Sequence, residues 1–236
     1  RTIHFAPVDS SKASGGVLMQ SGTGVWTLRS PIRAEAASVQ LTLAGDSDSE
    51  GVFDAVISNG FFNGKSVALE LYKKGTGTWR LTRPNTFTGS TVVQGGTLIV
   101  GENASLEKSW QIVFREGNAT LRFERAADVP LTIRAMQQHY GTGNRLEITG
   151  TGDVEIKTFS NASSGTLDFI PVDDARIRLP AGTSTDTLCY KGMAARIDED
   201  GCLVPVVDAT VAARGDVVGD TEGTLGVVTK ATLRLL

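Results

Sequence analysis

The stretch Lys73-Lys74-Gly75-Thr76-Gly77-Thr78-Trp79-Arg80-Leu81-Thr82-Arg83-Pro84-Asn85-Thr86-Phe87-Thr88-Gly89-Ser90-Thr91-Val92-Val93-Gln94-Gly95-Gly96-Thr97-Leu98-Ile99-Val100-Gly101 decides the fold class. It reads as three short strands, each followed by a turn carrying Gly or Asn. Trp79 and Leu81 alternate with polar neighbours, and Thr91, Val93 and the run Leu98-Ile99-Val100 follow at similar intervals. Period-2 alternation broken by Gly and Asn every few residues marks short strands joined by tight corners.

Within this stretch Lys73, Gly75, Gly77, Thr78, Trp79, Leu81, Asn85, Phe87, Gly89, Thr91, Val93, Gly96, Thr97 and Leu98 fall in register with one pattern. The pattern is K-x-G-x-G-T-W-x-L-x-x-x-N-x-[FY]-x-G-x-T-x-V-x-x-G-T-L. The stretch therefore resembles the autotransporter-associated β-strand repeat. The resemblance is clear over roughly residues 39–106, where Leu41–Gly45 and Phe53–Gly60 look like the lead-in to such a repeat. It implies a right-handed parallel β-helix in a secreted or surface-displayed bacterial protein. It implies no catalytic activity, because the motif residues shape coils.

Related segments recur along the chain. Ser21-Gly22-Thr23-Gly24-Val25-Trp26-Thr27-Leu28 matches the segment from Lys74 to Leu81 at an offset of 53 residues (Gly22 to Gly75). Thr149-Gly150-Thr151-Gly152-Asp153-Val154 is a degraded third copy. Gly96-Thr97-Leu98 recurs as Gly165-Thr166-Leu167 and Gly223-Thr224-Leu225. Irregular spacing of such copies is what a solenoid with loops inserted between its coils produces. Each coil then stacks inward side chains on those of the next, about 4.8 Å away. Gly22, Gly24, Trp26, Gly75, Gly77, Trp79, Leu81, Asn85, Phe87, Gly89, Val93, Gly96 and Leu98 are the expected repeat and core positions. Trp26 and Trp79 are equivalent in the repeat, and Val154 in the third copy places the position in the core; an exposed sugar-stacking platform is the alternative.

The expected fold is all-β: a parallel β-helix over residues 1–179 with a C-terminal cap or small β-subdomain over 180–236. Strands are expected throughout. Residues 103–108 and 135–140 could each form one helical turn instead. A cap is needed because an open end exposes apolar ladders and unpaired strand edges.

Composition agrees. The 236 residues include 27 Gly, and aromatic residues make up only 6%, a balance that favours turns and short strands. A net charge of −3, with acids and bases interspersed, gives no footprint for nucleic acid. No apolar run approaches the roughly 18 residues of a membrane helix. The chain begins at Arg1, so it reads as the mature or excised product of an exported precursor, extracellular or at the cell surface. Export makes a disulfide between Cys189 and Cys202, 13 positions apart (Cys189 to Cys202), the expected pairing. Such a loop contributes about 3 kcal/mol. Two unrelated thiols are the alternative.

Few residues suggest chemistry. Asp46, Asp48 and Glu50 alternate in a Gly-bounded loop and are weak calcium candidates against the plainer reading of a solvated acidic corner. Otherwise no cofactor or metal is expected. Asp153, Glu155 and Lys157 alternate on one strand, and Asp173 and Asp174 are adjacent; a glycan-cleaving site would need such carboxylates on one face. Trp110 and Tyr140 lie outside the repeat and are freer candidates for a binding surface. Ile3 and Phe5 at one terminus, and Leu233 and Leu235 at the other, are strand-like. They could close the protein's own sheets or pair with another copy. These observations favour a non-enzymatic structural or adhesive β-solenoid, such as a filament or stalk subunit. The alternatives are a β-helix that binds or cleaves carbohydrate, including a cell-surface glycan, and a passenger scaffold that serves secretion.

Overall fold

The computed structural model describes residues 3–5, 13–46, 48, 50–172 and 175–207. The alternating segments form parallel strands stacked as a β-solenoid of about seven turns, and the described residues contain no helix. The chain divides into two compact units, Arg1–Pro205 and Val206–Leu236, and all the described strands belong to the first.

One face stacks Trp26–Leu28, Glu50–Phe53, Thr78–Leu81, Gly96–Val100 and Ala119–Phe123 in parallel register. A second stacks Ala13–Gln20, Ser38–Gly45, Leu69–Lys73, Thr91–Val93 and Ile112–Phe114. Two 13-residue strands, Met136–Ile148 and Phe159–Pro171, then run through the corner and serve both faces. The third face is discontinuous. Ile3–Phe5 pairs with Ile32–Ala34, and Leu131–Ile133, Val154–Ile156 and Ile177–Arg178 form a short sheet. Between these, single bridges join Ile32 to Ile57 and Pro84 to Ser105.

Period-2 alternation turns every second side chain inward, and parallel register stacks those side chains into ladders. Trp79, Leu98, Leu121, Leu146 and Phe169 form one such ladder on the first face. Phe53, Leu81, Val100, Phe123 and Ile148 form another beside it. All of them are buried in the core. Burying each such side chain contributes roughly 1.5–3 kcal/mol.

Two expected alternatives are corrected, and one element is new. Residues 135–140 make no helical turn: Met136–Gln138 pairs with Ile112–Phe114 and with residues 159–161, and this pairing overrides local preference. Residues 103–108 are turns around the Ser105 bridge. An antiparallel hairpin of Gly60–Phe62 with Lys65–Val67 was not expected, although Asn63-Gly64 signals it. Both residues have positive φ, 49° and 74°, as a two-residue hairpin turn requires.

At the far end the direction reverses. Leu188–Tyr190 adds in parallel to the strand Phe159–Pro171, and Met193–Ile197 and Leu203–Pro205 then follow antiparallel. The expected domain boundary at residue 180 falls within the first compact unit.

Candidate functional site

The turn that begins at Leu69 shows how the repeat residues act. Lys73 ends the strand Leu69–Lys73 with its side chain inward and wholly buried. Its Nζ donates to the carbonyls of Lys74 (2.9 Å), Gly75 (3.1 Å) and Gly95 (3.0 Å). One ammonium therefore satisfies carbonyls from two successive corners. Burial pushes its pKa down to about 8.

Trp79 follows on the strand Thr78–Leu81, with 0% of its surface exposed. Its indole N–H donates to the Ala44 carbonyl at 2.8 Å. The register runs Trp26, Gly51, Trp79, so the 53-residue repeat spans two turns. Gly51 is required between the tryptophans: a Cβ there would lie 2.8 Å from the Trp79 ring. The two indoles meet edge-on, with centroids 5.6 Å apart at 74°. Trp26 departs from the expected core position. It lies on the outermost described strand of this face and is 39% exposed.

On the third face the Asn85 side chain replaces a strand rung. Its Oδ1 accepts from the Ile57 amide at 3.0 Å, and its Nδ2 donates to the Ser105 carbonyl at 3.3 Å. Thr86 and Phe87 amides return bonds to the Ile57 carbonyl. Phe87 is buried beside them, as are Leu81, Val93 and Leu98 on their strands. Gly89 approaches so closely that a Cβ would sit 2.2 Å from the Leu69 carbonyl oxygen. Gly77 donates its amide to Gly45 at 2.7 Å. In the first turn Gly22 has φ 97°, and Gly24 accepts from Gln20 Nε2.

Sequence reasoning missed Gln138 and Asn144, both buried. Gln138 Nε2 donates to the Gly141 carbonyl at 3.0 Å. Asn144 donates to Glu116 O at 2.7 Å and accepts from the Ala119 amide at 3.1 Å. Their only signal was an amide just before and just after a Gly-rich corner.

The candidates for chemistry are held in structural pairs. Asp46 accepts from the Thr76 amide, and Glu50 pairs with Arg80, while Asp48 is exposed. The calcium candidates are thus drawn to different partners. Among the described residues no group of three or more His, Cys, Asp or Glu is placed to hold a metal. Asp153 holds Arg176 through two bonds (3.1 and 2.8 Å), and Glu155 meets Lys157 at 2.7 Å. Tyr140 is exposed and meets His139 edge-on. Asp173, Asp174, Leu233 and Leu235 lie outside the described residues.

The expected Cys189–Cys202 bridge is corrected. Both cysteines are free. Cys189 lies opposite Ala194, whereas Cys202 lies level with Asp198, to whose amide its carbonyl bonds at 2.9 Å. Four residues of strand separate those levels by about 13 Å. A disulfide tolerates Cα atoms no more than about 7 Å apart. The antiparallel return of the chain, unreadable from spacing, carries the two thiols to opposite ends of the strands. Burial and the nearby Asp168 raise the pKa of Cys189.

Stacked turns with side-chain rungs define the class: a parallel β-solenoid built on a coil repeat. Residues 71–100 match the passenger-associated-transport-repeat family, a full circuit of the solenoid from Leu71 to its register partner Thr91 and on to Val100 in the next. Solenoid and repeat together are consistent with an autotransporter passenger. No curated protein and no solved structure matches the chain. No helix among the described residues is long and apolar enough to cross a membrane.

Proposed function

We propose that the chain is part of an extracellular passenger with a structural, non-enzymatic role, a rigid stalk that holds other parts of its protein away from the cell. The passenger-associated repeat at 71–100, set within continuous ladders, carries this reading. The pairing of Glu50, Asp153 and Glu155 with basic partners supports it, since carboxylates committed to ion pairs are poorly placed for acid–base work. Intact source cells treated with added protease test it. Loss of the chain while a cytoplasmic marker persists is the expected result. Protection of the chain until lysis would overturn it.

Assembly into filaments is a finer reading. Ile3–Phe5 pairs with Ile32–Ala34 on one edge, and among the described residues no strand pairs with its other edge. That open edge is a place for strand addition by a second copy. Electron microscopy across concentration distinguishes regular filaments from uniform short rods, and rods alone would rule the filament reading out.

A further inference from the structure

The third face changes character between two neighbouring turns. Residues 101–109 form a loop whose bridge joins Ser105 to Pro84. The next turn supplies the strand Leu131–Ile133, which pairs with Val154–Ile156 and, among the described residues, has no strand on its other edge. Across the same step the other faces stay continuous, pairing Val100 with Phe123 and Ile112 with Met136. The two turns are thereby pinned about 4.8 Å apart on both sides. A further strand cannot enter a gap pinned in that way. What remains is a cleft of about 520 Å³. Pockets for small ligands measure roughly 300–1,000 Å³.

The floor of this cleft is apolar, with Phe123, Leu131 and Ile133, and its walls are charged. Glu102 and Glu107 stand on the loop side, Arg125 and Arg134 on the strand side. Among the described residues neither arginine forms an ion pair. Arg125 Nη1 donates to the Gly152 carbonyl at 3.3 Å, but its Nη2 is buried with no partner. A buried donor left unsatisfied is costly, and more so on a charged group. Arg134 lies 4.3 Å over the ring of Trp110, which is 53% exposed beside the cleft.

A carboxylate would pair with the exposed Arg134 guanidinium through charge-assisted bonds, and the positive charge of Arg125, which also lines the cleft, would add to its attraction. Hydroxyl groups on the same ligand would donate to the opposing carboxylates, and its C–H face would rest on the apolar floor. We propose that this cleft binds a uronic-acid-type sugar, its carboxylate on Arg134 in the field of Arg125 and its hydroxyls toward Glu102 and Glu107. A free sugar and a residue of a polysaccharide present the same recognised groups. The site adds a ligand to the stalk and does not depend on its structural role.

Calorimetry and tryptophan fluorescence, with Trp110 as the reporter, test this on the whole chain. The probes are glucuronate, a short glucuronate-containing oligosaccharide, and glucose. Saturable glucuronate binding with Kd of about 1 mM or tighter is expected, with glucose at least about tenfold weaker. Tighter binding of the oligosaccharide than of glucuronate identifies polysaccharide as the source, and equal affinity identifies the free sugar. Arg125→Gln and Arg134→Gln should each weaken glucuronate binding about tenfold or more. Arg125 also supports Gly152, so Arg134→Gln decides the matter if Arg125→Gln fails to fold. No saturable glucuronate binding, equal affinity for glucose, or unchanged affinity in Arg134→Gln would overturn the proposal.

Discussion

Two corners of the solenoid, at residues 73–78 and 138–145, join the same pair of faces by different means. Register places Lys73, Val93, Phe114 and Gln138 at one inward position in four successive turns. At the first corner an ammonium gathers three carbonyls, and separate strands meet across glycines. At the second a single strand runs through, and the neutral amides of Gln138 and Asn144 supply the donors. A buried corner leaves main-chain carbonyls facing inward, and each needs a donor. The side chain that provides it is free to vary. That is why the solenoid continues where the sequence repeat fades.

The largest effect is expected from backbone that neither corner can relax. Gly96 has φ 60°, and a Cβ there would fall 2.4 Å from the Gly77 carbonyl oxygen. Gly96→Ala should destabilise the fold by about 3 kcal/mol or more. Gly143 also has positive φ, 73°, but the close contact of an added Cβ would be with the Asn118 side-chain oxygen, at 2.6 Å, and the nearest backbone atom would lie at an ordinary 3.7 Å. Gly143→Ala should cost about 1 kcal/mol. Urea unfolding midpoints compare the two, and equal losses would mean that the corners are equally rigid.

Next come the donors. Lys73→Met strands three carbonyls and should cost about 3 kcal/mol; Gln138→Met strands fewer and should cost about 1–2 kcal/mol. Equal costs would show that the charge and the third bond add nothing.

The corners should also differ in pH response. Lys73 releases its proton near pH 8 when folded, against its ordinary 10.5. Between these values the unfolded chain binds more protons, so stability from this group rises with pH across the window. It is fully present above 10.5 and lost as pH falls through 8. The stability of wild type minus that of Lys73→Met should climb over that range, while the same difference for Gln138→Met stays flat. A flat Lys73 difference would mean that the ammonium is better solvated than its burial implies.

The smallest effect belongs to the outer surface. Arg80 bridges Glu50 and Glu124 across the turns outside the ladder. Arg80→Ala should cost less than about 1 kcal/mol, and the loss should shrink in high salt. A salt-independent loss would assign its contribution to the cover it gives neighbouring Ile99.

The strands of residues 69–101 were legible because both signals, alternation and corner glycines, act locally. The Asn63-Gly64 hairpin carries an equally local signal, a two-residue turn with positive φ at both positions. Other features were not local. A glycine between two tryptophans reads as a strand breaker until register places Gly51 against Trp79. Residues 135–140 carried a weak helical signal, and neighbouring turns on both sides made them strand. The cleft at Arg125 arises from a mismatch between consecutive turns, which neither segment contains by itself.

By itself the sequence determined that the chain forms short strands with apolar inner faces and a passenger-type coil, because side-chain period and turn chemistry are properties of neighbouring residues. Tertiary structure decided which turn stacks on which, and so which tryptophan is buried, which carbonyls Lys73 serves and how far apart the cysteines lie. The first two outcomes depend on pairing between residues about 20 or more positions apart, such as Leu71 with Thr91, and the third on where the chain reverses at the far end. The lengths of the intervening loops set that pairing, and no local pattern encodes them.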